Sequence, residues 1–199
     1  MIRRLSLLLL LLCSTSATSR TLMILGDSLS AGYQMPIEQA WASLLSQQLS
    51  EKGKSVTVVN ASISGDTTGN GLARLPGLLT KHHPDVVLVE LGANDGLRGF
   101  PPPLITNNLR QIVQQIQASH AKAIVMQIRM PPNYGKRYTT MFYEVFAKVA
   151  QQEKVPLIPF YLEQIITKPE WIMPDGLHPR PEAQKWIAHY MANELLPYL

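Results

Sequence analysis

Four short, almost unbroken apolar runs, at residues 21–25, 56–60, 86–90 and 123–127, are separated by stretches long enough to hold helices. Each run has the length of a strand, and almost no polar side chain alternates within it. Strands covered on both faces read this way. A fifth run, at 157–159, is weaker because Pro156 and Pro159 cannot donate to a ladder. Between the runs, apolar residues recur at helical spacing. Residues 37–51 place Ala40, Trp41, Leu44, Leu45 and Leu49 along one stripe, and Gly53 offers a C-terminal stop. Residues 103–119 do the same with Leu109, Ile112, Val113 and Ile116. Residues 68–79, 139–153 and 180–196 complete the set. Strand–helix alternation predicts a parallel sheet with helices on both faces, a three-layer α/β/α domain. In such sheets ligands gather at the carboxyl ends of the strands, so the loops after the strands are where chemistry is expected.

The N-terminal residues follow a different pattern. Arg3 and Arg4 precede an apolar run over 5–12, and Ser14, Thr15, Ser16 and Ala17 follow. A basic start, a short apolar stretch and a small-residue end predict a secretory signal peptide over 1–17, cut after Ala17. The run is too short to span a bilayer, and bulky Leu12 argues against a lipid anchor at Cys13. Residues 18–199 are then expected to form one domain. Losing Arg3 and Arg4 lowers the formal net charge from +4 to +2, which gives no reason to expect a nucleic-acid partner. Cys13 is the single cysteine of the sequence. Without it the chain has neither a disulfide nor a thiol nucleophile. Export without cysteines fits a bacterial periplasm, with secretion further out as the alternative.

Four loops carry residues of chemical interest. The first strand runs into Gly26-Asp27-Ser28-Leu29-Ser30. Ser28 reads as a nucleophile at the head of the sheet, or as a turn serine. After the second strand comes Ser64-Gly65-Asp66-Thr67-Thr68. Gly65 can bring its N–H close to a developing oxyanion, or it can simply lead into a helix cap at Asp66, Thr67 or Thr68. After the third strand, Gly92-Ala93-Asn94-Asp95-Gly96 presents an amide donor that cannot act as an acid. That suits an oxyanion contact, and equally a self-capping Asn-Asp turn. Near the end, Asp175-Gly176-Leu177-His178-Pro179 sets a carboxylate and an imidazole three residues apart. They can meet within one turn as general base and orienting acid, or be a plain surface turn. Taken together, the four loops supply every role that acyl transfer requires.

These blocks, in this order, resemble those of the SGNH (GDSL) hydrolase superfamily: Ser28 in Gly-Asp-Ser-Leu, Gly65 in Ser-Gly-Asp-Thr, Asn94 in Gly-Ala-Asn-Asp, and Asp175 with His178. The resemblance extends through 26–33, 60–67, 71–76, 89–100, 127–138 and 171–178, nearly the whole mature chain. It implies a flavodoxin-like sheet and a triad of Ser28, His178 and Asp175. It implies an oxyanion hole made by the Ser28 and Gly65 N–H groups and the Asn94 side chain. The implied reaction is hydrolysis of carboxylic esters and acyl thioesters, lysophospholipids included, through an acyl-enzyme and without a cofactor. A carbohydrate O-acetylesterase on the same scaffold is the second reading, and a non-catalytic binding protein the third.

Leu97 and Phe100 give the segment 96–103 an apolar surface that favours long acyl chains, and with Met130 they are the candidate substrate-binding residues. That segment is expected to fold over a bound chain. The partners expected are small-molecule substrates, with no stable membrane anchor and a monomeric state. Asp27 and Asp95 read as loop-fixing acceptors, and Arg98 as a solvated cation. Trp41, Trp171 and Trp186 read as core or rim aromatics. His82, His83, His120 and His189 lack ligand-like spacing, and no zinc-hydrolase motif occurs, so no metal is expected.

Overall fold

The computed structural model describes residues 19–199. The predicted signal peptide, Cys13 included, lies outside the described residues. The five expected strands form one parallel sheet in the order β2-β1-β3-β4-β5. They are β1 (Arg20–Gly26), β2 (Val56–Asn60), β3 (Val86–Glu90), β4 (Lys122–Met126) and β5 (Leu157–Ile158). Met23 of β1 lies between Val59 of β2 and Val87 of β3, and Val125 of β4 joins Val89 to Leu157. This strand order is the flavodoxin-like one. β5 keeps only two residues, because Pro156 and Pro159 on either side have no N–H to extend the ladder.

The long helices are α2 (Trp41–Glu51), α3 (Thr68–His82), α5 (Pro102–Ala118), α6 (Lys136–Glu153) and α8 (Pro181–Leu195). α2 packs with α8, while α3 packs with α5 and α5 with α6, which makes the two outer layers. The core between them is aliphatic: Leu22, Met23, Ile24 and Leu25 of β1 are fully buried, as are Val87 and Leu88 of β3. Each such side chain contributes about 1.5–3 kcal/mol relative to exposure. Among the described residues no helix is long and apolar enough to cross a membrane.

Three short helices, α1 (Ser28–Ala31), α4 (Ala93–Leu97) and α7 (Leu162–Ile165), were not expected. Four or five residues are too few for a hydrophobic period to declare itself. The predicted helix over 37–51 also starts late. Residues Ile37–Gln39 form a 3-10 turn and Ala40 is extended, so the helix begins at Trp41. The Trp41 N–H donates to Gln184 Oε1 of α8 at 2.9 Å. A side chain 143 residues away thus supplies the N-terminal cap that local sequence lacks. At α3 the cap is local: Thr67 and Asn70 form a reciprocal capping box.

Candidate active site

The loops after β1, β2 and β3 and the loop before α8 converge at the carboxyl edge of the sheet. Ser28 is the first residue of α1, so its N–H has no acceptor within that helix. Asp27 caps the helix, its Oδ1 accepting from Leu29 N at 3.0 Å. The turn is held rigidly. Trp41 Nε1 and the Tyr161 hydroxyl both donate to the Leu29 carbonyl, at 3.0 and 2.9 Å. Asn60 Nδ2 donates to the Ser30 carbonyl at 2.8 Å.

Ser28 Oγ lies 2.8 Å from His178 Nε2, and His178 Nδ1 lies 2.7 Å from Asp175 Oδ2. If Ser28 donates, Nε2 is the unprotonated nitrogen and Nδ1–H faces the carboxylate. Asp175 also accepts from Leu177 N at 2.9 Å and His178 N at 3.0 Å. Partial burial opposes its ionisation, but these hydrogen bonds and the imidazole outweigh that and hold its carboxyl below the usual range. Residues 150 positions apart are therefore joined in one Ser–His–Asp chain.

Asn94 stands at the start of α4, and its Nδ2 donates to Asp27 Oδ2 at 3.1 Å and to the Asp66 carbonyl at 3.0 Å. Both partners are acceptors, which fixes the orientation of the amide. Gly65 lies in the left-handed region, with open space where a side chain would stand. Its carbonyl accepts from Arg98 Nη2 at 3.0 Å, so Arg98 ties two site loops together.

A cavity of about 380 Å³ opens beside the serine. Ser28, Asn94 and His178 share its lining with Leu29, Leu97, Met130, Phe160, Leu162 and Ile166. The wall also carries an ion pair between Arg129 and Glu163. Met130 can press close to α4 because residue 96 is glycine: a Cβ there would sit 2.2 Å from Met130 Sδ. The third expected contact is not found. Phe100 is absent from the cavity wall. Its N–H donates to the Asp95 carbonyl and its own carbonyl accepts from the Tyr138 hydroxyl, at 2.9 and 2.8 Å. Its side chain packs on the main core. The segment expected to fold over an acyl chain is pinned instead between α4 and α6.

Beneath the serine lies a group of acids that the sequence reading had only partly marked. Asp27, Glu90 and Asp95 are all fully buried. Glu90 Oε2 accepts from Ser30 Oγ at 2.7 Å. Asp95 accepts from Thr68 N at 2.8 Å and from Thr68 Oγ1 at 2.5 Å, which makes it the loop-fixing acceptor expected. Burial pushes the Asp27 carboxyl up to about 7 and that of Glu90 well above the usual range, where the charge of Asp27 adds to the effect. The signal for Glu90 was available: a lone carboxylate ends a strand that is otherwise Val and Leu. Nothing in local sequence marked Tyr161.

Residues 24–186 match the family model of the GDSL-like lipase/acylhydrolases. The chain belongs to this family, the SGNH hydrolases, and is an esterase. It is 62% identical to an arylesterase of Vibrio mimicus over the full length of both chains. It is 51% identical to thioesterase 1/protease 1/lysophospholipase L1 of Escherichia coli K12, over 96% of this chain and 90% of the relative. Among solved structures, the psychrotrophic esterase EstA of a Pseudoalteromonas species superposes with a TM-score of 0.88 at 39% identity, covering 90% of this chain and 98% of that one.

Proposed function

We propose that Ser28, His178 and Asp175 are the catalytic triad of this esterase, and that its substrates include acyl thioesters and lysophospholipids. The observation that carries this reading is the pair of hydrogen bonds, 2.8 and 2.7 Å, that link the three side chains at an apolar cavity. His178 takes the Ser28 proton as Oγ attacks the acyl carbonyl carbon. The tetrahedral oxyanion is received by the Ser28 and Gly65 N–H groups and by Asn94, which shares an amide hydrogen already engaged by a protein acceptor. His178 then gives its proton to the departing alcohol or thiol, and water cleaves the acyl-enzyme by the same route. The reaction uses no cofactor.

The size and lining of the cavity support acyl chains longer than acetyl, and so weigh against the carbohydrate O-acetylesterase reading. Relatives named as a thioesterase, a lysophospholipase and an arylesterase support the substrate class. The basic, apolar and small-residue pattern of residues 1–17 supports export to a bacterial periplasm, with residues 18–199 as one monomeric domain. The decisive test combines labelling and turnover. A fluorophosphonate should modify Ser28, and kcat/KM should rise along a series of acyl thioesters and lysophospholipids from acetyl to longer chains. Labelling of another residue would reject the triad. A maximum at acetyl would reject the substrate class.

A further inference from the structure

His178 is held at both ring nitrogens, by Ser28 Oγ and by Asp175 Oδ2. Two bonds at opposite edges of a ring define an axis, and rocking about that axis costs them little. A third support lies against the face. The Tyr33 ring stacks on the imidazole with centroids 4.2 Å apart and planes 28° apart. Tyr33 reaches that position through the residue before it. Gly32 ends α1 in the left-handed conformation, φ 80°, and a Cβ there would meet Ala40 Cβ at 3.1 Å. The short helix that begins at Ser28 thus reverses at once and brings an aromatic face over the base. His178 itself sits in a loop, tied nearby by Met173 N to the His178 carbonyl at 2.8 Å and Arg180 N to the Trp171 carbonyl at 2.7 Å. A catalytic group on a loop depends on packing from other elements to hold its rotamer.

We propose that Tyr33 is a positioning residue for His178, and that its ring also favours the imidazolium formed as Ser28 gives up its proton. The inference rests on the triad reading. An aromatic face holds a neutral ring by stacking and attracts a cation more strongly. The benefit therefore appears as positive charge develops on His178, in the transition state, and affects kcat rather than KM. The phenolic hydroxyl is not required for this. It accepts from Gln34 Nε2 at 3.1 Å, on the neighbouring residue.

The test compares Tyr33→Phe, Tyr33→Leu and Tyr33→Ala in the full chain, with kcat, KM and thermal midpoint measured on one aryl ester. Phe keeps the π face, so Tyr33→Phe should hold kcat near wild type. Leu keeps apolar bulk without the π face. Tyr33→Leu should lower kcat about three- to thirtyfold with KM and the midpoint little changed. Tyr33→Ala should lower kcat at least as far. If Tyr33→Leu matches Tyr33→Phe, or if the loss falls on KM, the proposal is overturned. The Leu variant keeps the test decisive should the Ala variant fail to fold. Ser28→Ala separates the two levels of inference. If it is inactive while Tyr33→Leu is normal, the triad stands and the role of Tyr33 fails. If Ser28→Ala keeps full activity, the triad falls and Tyr33 loses its role with it.

Discussion

Asp175 and the buried acids Asp27 and Glu90 are the same kind of group put to opposite use. The Asp175 side chain is 37% exposed and receives two backbone N–H bonds and the imidazole. It stays ionised and can serve a developing imidazolium. Asp27 and Glu90 lie under Ser28 at 0% exposure, where loss of water disfavours their charged forms. They retain protons to higher pH and serve as structural acceptors, Asp27 for Leu29 N and Asn94, Glu90 for Ser30. The contrast is one of hydration and donor count. Charge is kept beside His178, where donors and water surround the carboxylate, and suppressed where the acids are buried.

The sharpest way to break this contrast is to remove the chemistry and leave the scaffold. Ser28→Ala should cost on the order of 10⁶ in kcat, with the thermal midpoint unchanged. Activity near wild type in the folded variant would mean that the exposed half of the comparison is not catalytic.

Asp175→Asn leaves the turn in place, because the amide oxygen can still accept from the two backbone N–H groups, and removes both the charge and the acceptor that face His178 Nδ1. A fall of roughly 10⁴ in kcat is expected if the carboxylate sets the imidazole tautomer. Unchanged kcat across the pH range would show that the turn, and not the charge, holds His178.

Asn94 joins the two regions, since its amide meets buried Asp27 and faces the cavity. Asn94→Ala should lower kcat by about 10²–10³ with a smaller change in KM. A change confined to KM would make Asn94 a binding residue only.

The smallest effect is on stability. Folded Asp27 holds its proton up to about pH 7, whereas an ordinary carboxyl releases it near 3.8. The folded state therefore binds more protons than the unfolded state across that window, and stability falls as pH rises through it. Glu90 acts in the same direction. Asp175 acts in the opposite one: its contribution is present above the ordinary carboxylate range and is lost on acidification. Glu90→Gln keeps an acceptor for Ser30 and removes an acid that burial and the charge of Asp27 hold protonated in the folded chain. Calorimetric midpoints from about pH 4 to 7 should decline less steeply in this variant than in wild type. Parallel curves would show that Glu90 ionises in the ordinary carboxylate range in the folded chain as well.

Much of this was legible in the sequence. The runs at 56–60 and 86–90 have the ends of the observed strands, β1 extends one residue beyond 21–25 at each end, and β4 begins and ends one residue before 123–127. Ser28, Asn94 and His178, from three of the four loops, meet at one cavity, whereas Gly65 is not in its wall. The errors are instructive. A loop of Gly, Leu and Phe looks apolar from any side, so composition alone points Phe100 at an acyl chain. The Asp95 and Tyr138 hydrogen bonds that hold its main chain, and the packing of its ring on the core, are tertiary contacts that local composition does not record.

What the sequence determined by itself is what local periodicity and motif order encode. Burial on both faces shows as unbroken apolar runs in β1, β3 and β4, whereas the equally apolar β2 lies at the sheet edge and is only half-buried; helices show as an apolar stripe. The reactive residue types appear one to a loop, so parallel connections must bring them to one edge. What tertiary structure alone decided is the environment of each group. Gln184 caps a helix 143 residues away, and Tyr161 and Trp41 clamp the turn that carries Ser28. Glu90 loses its water, and Tyr33 lies flat on His178. The physical reason is that solvation and side-chain stacking depend on which atoms occupy the surrounding space. In a parallel sheet those atoms come from segments a whole crossover or more away in sequence.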